Sequence, residues 1–210
     1  MTGRAVRALV LASGSPARLR ILRDAGIDPE VVVSGVDESS EDQLATECLV
    51  AVLAERKAAA VAALRPDELV LGCDSMLDLG GIAFGKPAAA PEVIELWRLL
   101  AGRTGTLYTG HCLLDGAAGR RASGVAATTI RFGTPSEAEI AAYAATGEPL
   151  SLAGAFSIDG RAAPFIDGID GDPSNVIGLS LPLLRRLLAE LGVPITDLWH
   201  WPDSHTPSSP

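Results

Sequence analysis

Short apolar, β-prone runs alternate with helical patterns along most of this chain, and that alternation constrains the fold more than any other feature. The first run, residues 5–12, is interrupted only by Arg7 and reads as a largely buried strand. Ser13-Gly14-Ser15-Pro16 breaks it. Residues 17–25 then set Leu19, Ile21 and Leu22 on an apolar side, with Arg18, Arg20 and Arg23 between them. Ser15 suits the N-cap of that helix, Pro16 its first residue and Gly26 its stop. A second short strand is expected over residues 30–34, and a long helix over 41–64, ended by Pro66.

The pattern continues with a buried strand at 69–73 and a hairpin over 76–84 turning at Gly80-Gly81. A helix over 91–101 precedes strands at 107–114 and 125–132. Ser136 opens a helix running to Ala145, with Glu139 three residues on completing a capping box. Residues 147–175, rich in Gly, Asp and Pro, read as a loop-rich region with short strands. A final helix is expected over 181–191, and residues 202–210 read as a disordered tail. These elements predict an α/β fold with a mixed sheet, in one domain over residues 1–201. No internal repeat is visible.

At 210 residues the chain fits one domain, or one domain with two lobes, and hydrophobic residues at 48% give it an ordinary globular core. Its net charge of −9 repels nucleic acid and anionic membrane. A polyanionic small molecule then needs a local basic cradle or a metal ion. Cys48, Cys73 and Cys112 are odd in number and widely spaced, which argues against a disulfide framework or a zinc site. His111, His200 and His205 show no ligand spacing. The apolar run 8–12 falls short of the roughly seven residues of a signal-peptide core, so a cytoplasmic protein is expected.

Of the 17 basic residues only Lys57 and Lys86 are lysines. Either arginine usage is biased, or a compact ammonium is needed at two places where a planar guanidinium does not serve. Lys57 shares a helical row with Leu49, Leu53 and Val61, so it either snorkels outward or turns its ammonium into a pocket. Lys86 stands in the turn Phe84-Gly85-Lys86-Pro87. Ser13, Ser15 and Arg18 surround a helix start whose free N–H groups suit a phosphate; the plainer reading is a capped helix and nothing more. Asp37 and Glu38 follow the second strand, as solvated turn residues or as metal-holding carboxylates. Asp74 ends an apolar run, where a buried carboxylate needs a partner.

Taken in order, several stretches resemble the Maf family of nucleoside triphosphate pyrophosphatases, also named for septum formation inhibition. They are L-A-S-G-S-P-A-R at 11–18, G-V-D-E at 35–38, E-R-K-A at 55–58 and G-C-D-S at 72–75. G-K-P at 85–87, G-R-T-G-T-L-Y-T-G at 102–110, E-P-L at 148–150, A-G-A-F at 153–156 and N-V-I-G-L at 175–179 complete the set. The resemblance implies a mixed, elongated sheet with flanking helices and two lobes around a central cleft. It implies hydrolysis of a nucleoside triphosphate to monophosphate and pyrophosphate, the removal of non-standard nucleotides, a divalent cation (Mg²⁺ or Mn²⁺) and a homodimer.

By position, the resemblance makes Asp74 the proton acceptor and a metal ligand with Glu38. It makes Ser13, Ser15, Arg18, Lys57 and Lys86 phosphate contacts. Three positions depart from the pattern the resemblance implies. Ala17 stands where many members have arginine; Ser75 and Asp159 stand where the pyrimidine-acting branch commonly has threonine and usually has glutamine. An acid at the last position is the habit of the branch acting on 7-methylguanosine triphosphate. The family's older name carries a rival expectation, a regulator of cell division that acts by binding a partner.

Overall fold

A computed structural model describes residues 7–37 and 44–200. Its centre is a seven-stranded mixed sheet in the order β2-β1-β3-β5-β6-β7, with β4 paired to β3 off that path. The strands are β1 (Leu9–Leu11), β2 (Glu30–Val31), β3 (Leu69–Leu79), β4 (Ile82–Phe84), β5 (Thr104–Asp115), β6 (Arg120–Phe132) and β7 (Ile166–Asp170). β1 runs parallel to β2 and β3, and every later pairing is antiparallel. The helices are α1 (Pro16–Asp24), α2 (Thr46–Ala62), α3 (Ala90–Leu100), α4 (Glu137–Ala145), α5 (Pro173–Ile177) and α6 (Leu181–Glu190). The expected α/β fold with a mixed sheet is the fold observed.

Two hydrophobic cores divide the length of β3 between them. At its start, Leu69, Leu71 and Cys73 pack with α1 and α6 on one face, while Val70 joins Ala54, Ala58 and Val61 of α2 on the other. At its end, Leu77 and Leu79 join Val93, Leu96 and Trp97 of α3 and Ile140 and Tyr143 of α4. Trp97 packs edge to face against Phe132, Tyr143 and Phe165, an arrangement the aromatic quadrupole favours. Asp74, Ser75 and Met76 lie between the two cores, where the lobes part.

That division corrects one expectation. β3 does not stop at Cys73 to be followed by a separate hairpin; it continues through Asp74 to Leu79 and turns at Gly80 and Gly81, both at positive φ. Asp74 is therefore a mid-strand residue. β2 is shorter than expected, and β5 and β6 are longer, forming a hairpin over residues 104–132. The capping box at Ser136 and Glu139 forms as read, with Ser136 N–H donating to Glu139 Oε2 at 2.7 Å. The tail expected at 202–210 lies outside the described residues, as do residues 38–43, which carry Glu38.

Candidate active site

Helix α2 lies on the sheet so closely that only glycine fits beneath it. A Cβ on Gly72 would stand 2.2 Å from the Ala54 carbonyl oxygen, and one on Gly110 would stand 2.1 Å from that of Val50. Gly110 is the direct cross-strand neighbour of Asp74, so the close approach occurs beside the carboxylate. One consequence is that the Lys57 ammonium reaches Asp74: Nζ stands 2.5 Å from Oδ1, with 10% of the lysine side chain and 6% of the aspartate side chain exposed. Of the two readings open for Lys57, the ammonium turned inward is the one observed. The pair gives each buried charge the partner it needs.

α1 begins where the sequence placed it. Ser15 caps the helix, with its Oγ accepting from Arg18 N–H at 3.5 Å, and Pro16 takes the first position. Ser13 Oγ accepts from Ser15 N–H at 3.2 Å and from Arg18 Nη1 at 3.0 Å, which leaves the hydroxyl proton for a ligand. Ser13 is 8% exposed and lines a cavity of about 970 Å³. That volume lies within the range of small-molecule sites.

Arg18 is drawn almost wholly into the framework. Nε donates to Gly178 O at 2.8 Å, Nη1 to Ser13 Oγ and to Cys73 O, both at 3.0 Å, and Nη2 to Ser75 Oγ at 2.9 Å. A guanidinium has five N–H groups, so one remains beyond these four bonds. The Ser75 hydroxyl is also committed. It accepts from Arg18 and lies 2.9 Å from Thr109 Oγ1, which donates to the Asn175 carbonyl at 3.4 Å. The proton directions therefore run from Arg18 through Ser75 and Thr109 to Asn175.

His111 anchors the same region from behind. Its Nδ1 lies 3.0 Å from Thr109 O, and Ser180 N–H donates to Nε2 at 2.9 Å, which fixes a neutral ring with the proton on Nδ1. Burial pushes its pKa down to about 4, against the hydrogen bond to the Thr109 carbonyl, with the Arg18 charge adding to the fall. Burial likewise raises the thiols of Cys73, to about 12, and Cys112, to about 11, so both are inert apolar residues of the core.

The opposite wall comes from residues 148–160. Gly154 N–H donates to Gly85 O at 2.9 Å, tying this wall to the turn that carries Lys86. Gly154 sits at φ +67 with its α-carbon against Leu77, where no other residue fits. Ala155 follows at φ 59, and its carbonyl accepts from Trp97 Nε1 at 3.0 Å. Phe156, Ser157 and Asp159 then face the cavity.

The cavity thus gathers Ser13, Ser15, Ala17, Arg18, Lys57, Asp74, Ser75, Lys86 and Asp159, every expected site residue except Glu38. Val33 to Val36 line it as well, just before Asp37. Its charged lining comprises Arg18, Arg20, Lys57 and Lys86 against Asp74, Glu148 and Asp159, a cationic excess in a molecule of net charge −9. Sequence reasoning missed Gly72, Gly110, Thr109, Asn175 and Gly178 as site-builders, although all five stand in stretches that carry the family resemblance.

Comparison with known proteins agrees with this geometry. The chain is 60% identical over 202 residues to a nucleoside triphosphate pyrophosphatase of Streptomyces coelicolor, covering 95% of this chain and 98% of that protein. Proteins of the same name from Streptomyces avermitilis and Salinispora tropica are 59% and 55% identical, covering 95% of this chain and 98% and 90% of theirs. Residues 8–191, which hold every residue lining the cavity, match the family model described as Maf-like protein, and the chain belongs to that family.

Proposed function

We propose that this protein hydrolyses a nucleoside triphosphate at the α–β anhydride, releasing nucleoside monophosphate and pyrophosphate. The observation that carries the reading is the buried Lys57–Asp74 pair within a cavity of cationic excess that the N-terminus of α1 helps to line. The relatives at 55–60% identity, named nucleoside triphosphate pyrophosphatases, support the same chemistry.

Each part of the site has work to do in that reaction. The Ser13 hydroxyl and the Ala17 N–H in the first turn of α1 meet phosphate oxygens. Lys57 and Lys86 offset the charge that grows on the departing pyrophosphate. Asp74 takes the proton from the attacking water as the anhydride opens, a contribution of about 10²–10⁴-fold for a positioned base. Arg18 holds the Ser13 loop, β3 and the start of the α5–α6 connection in one arrangement, and adds its charge and one N–H to the cavity.

We assign a divalent cation, Mg²⁺ or Mn²⁺, to the same site. Among the described residues no three His, Cys, Asp or Glu side chains cluster to hold a metal. Asp74 nonetheless offers the hard oxygen that such a cation shares with substrate phosphates, so the cation would arrive with the nucleotide, with Glu38 as a further ligand. The cation would supply charge neutralisation at the phosphates. We also place the enzyme in the cytoplasm on its short apolar N-terminal run, away from nucleic acid and membrane on its net charge of −9, and, on the family resemblance, acting on non-standard nucleotides and pairing as a homodimer. The rival reading, a division regulator acting through a partner, has no feature of its own, since the polar constellation faces a cavity.

Asp74→Asn is the test. It keeps an acceptor for Lys57, so the fold is expected to persist by thermal melting while turnover falls at least about 100-fold. Retained turnover removes Asp74 from the base role.

A further inference from the structure

One charge pair in the cavity has no part in the chemistry above. Arg20, on α1, donates through Nη2 to Oδ2 of Asp159, on the opposite wall. Both residues line the cavity. The two halves of the pair are held differently. The buried Ser157 donates its hydroxyl to Asp159 Oδ1 and accepts the Asp159 N–H, so the carboxylate is fixed. Among the described residues Arg20 makes no second side-chain bond of this kind, and 53% of its side chain is exposed. Asp159 is thus the more firmly held partner and Arg20 the more exposed one.

The geometry of α1 says where Arg20 can go. Arg20 stands three residues after Ala17, on the same helical face, and side chains on a helix lean toward its N-terminus. Ala17 places nothing longer than a methyl between Arg20 and the Ser13–Pro16 loop. A half-exposed pair is weakly held and screened by salt. A polyphosphate carries more charge than one carboxylate and suits the planar, two-pronged guanidinium.

We propose that Arg20 rests on Asp159 and exchanges to the polyphosphate of an entering nucleotide, supplying the cation that Ala17 lacks and leaving Asp159 as a fixed acceptor toward the rest of the ligand. This rests on the reading of the cavity as a triphosphate site. It adds a residue that senses occupancy of the phosphate end and changes the charge at the other.

Inorganic tripolyphosphate, which has no base, isolates the exchange. Its affinity for the full-length protein is to be measured by titration calorimetry for the unaltered chain and for Arg20→Ala, Arg20→Lys and Asp159→Asn, with thermal melting confirming the fold. Arg20→Ala is expected to weaken binding about tenfold, the loss of one charge-assisted contact, and Arg20→Lys to recover part of it. Asp159→Asn is expected to tighten binding about threefold, because Arg20 loses its resting partner. Unchanged affinity in Arg20→Ala, weaker binding in Asp159→Asn, or no binding to the unaltered chain overturns the proposal. Absent nucleotide hydrolysis with these binding differences intact would count against the hydrolase reading alone.

Discussion

Lys57 Nζ lies 2.5 Å from Asp74 Oδ1, although the two stand 17 residues apart on a helix and a strand. The contact depends on two residues that take no part in chemistry. Gly72 and Gly110 let the backbone of α2 settle onto β3 and β5 beside the carboxylate. That approach brings a buried lysine on α2 within reach of the carboxylate.

Gly110→Ala is therefore expected to lift α2 and separate the pair. A methyl there would meet backbone atoms of Val50 and Ala51, which cannot rotate away. Overpacking of this kind costs about 1–3 kcal/mol, and kcat should fall more than KM rises. Urea denaturation with steady-state kinetics checks both. Unaltered stability would mean that α2 does not need the glycine.

Lys57→Arg and Lys86→Arg keep the charge but replace a point cation with a wide fork. Lys57 is buried with its ammonium 2.5 Å from Asp74, a contact that a wider guanidinium on the same α2 position would have to remake with a different reach. We expect kcat/KM to drop about tenfold to a hundredfold for Lys57→Arg, the scale of one charge-assisted bond, and less for Lys86→Arg in its turn. Near-normal kinetics in both would make the scarcity of lysine a matter of composition.

Arg18→Lys separates positioning from phosphate binding. A lysine cannot reproduce the four bonds to Gly178, Ser13, Cys73 and Ser75. It should cost about 3 kcal/mol of stability and most of the turnover. Full activity in Arg18→Lys would show that only the charge matters.

His111 predicts a pH dependence of stability. Its ordinary value of 6.5 falls to about 4 in the folded chain, so the unfolded chain binds its proton first. The contribution is complete above pH 6.5 and is lost as the pH falls through the window down to about 4, by up to about 3 kcal/mol. Urea midpoints at pH 7 and 4.5 should differ less in His111→Gln than in the unaltered chain. An equal difference would show that the ring is not the titrating group.

The sequence made the elements legible where local signals were strong: the Ser15–Pro16 helix start, the Ser136–Glu139 capping box and the Gly80-Gly81 turn all form as read. It misplaced the end of β3 because Asp74, Ser75 and Asp78 break the apolar pattern. Those polar residues are tolerated because the strand passes between two cores there. The inward turn of Lys57 was not legible, since spacing along α2 says nothing about what lies beneath it. Glycines 72 and 110 read locally as weak strand residues; their purpose depends on a helix that packs over them. The commitment of four Arg18 N–H groups likewise comes from acceptors 5, 55, 57 and 160 residues away.

The most direct test of the account is the identity of the phosphorus products. Purified protein with Mg²⁺ or Mn²⁺ and a panel of nucleoside triphosphates, followed by ³¹P NMR, should show nucleoside monophosphate and pyrophosphate in equal amounts, both formed at least about 100-fold more slowly by Asp74→Asn. Release of orthophosphate with nucleoside diphosphate would contradict it.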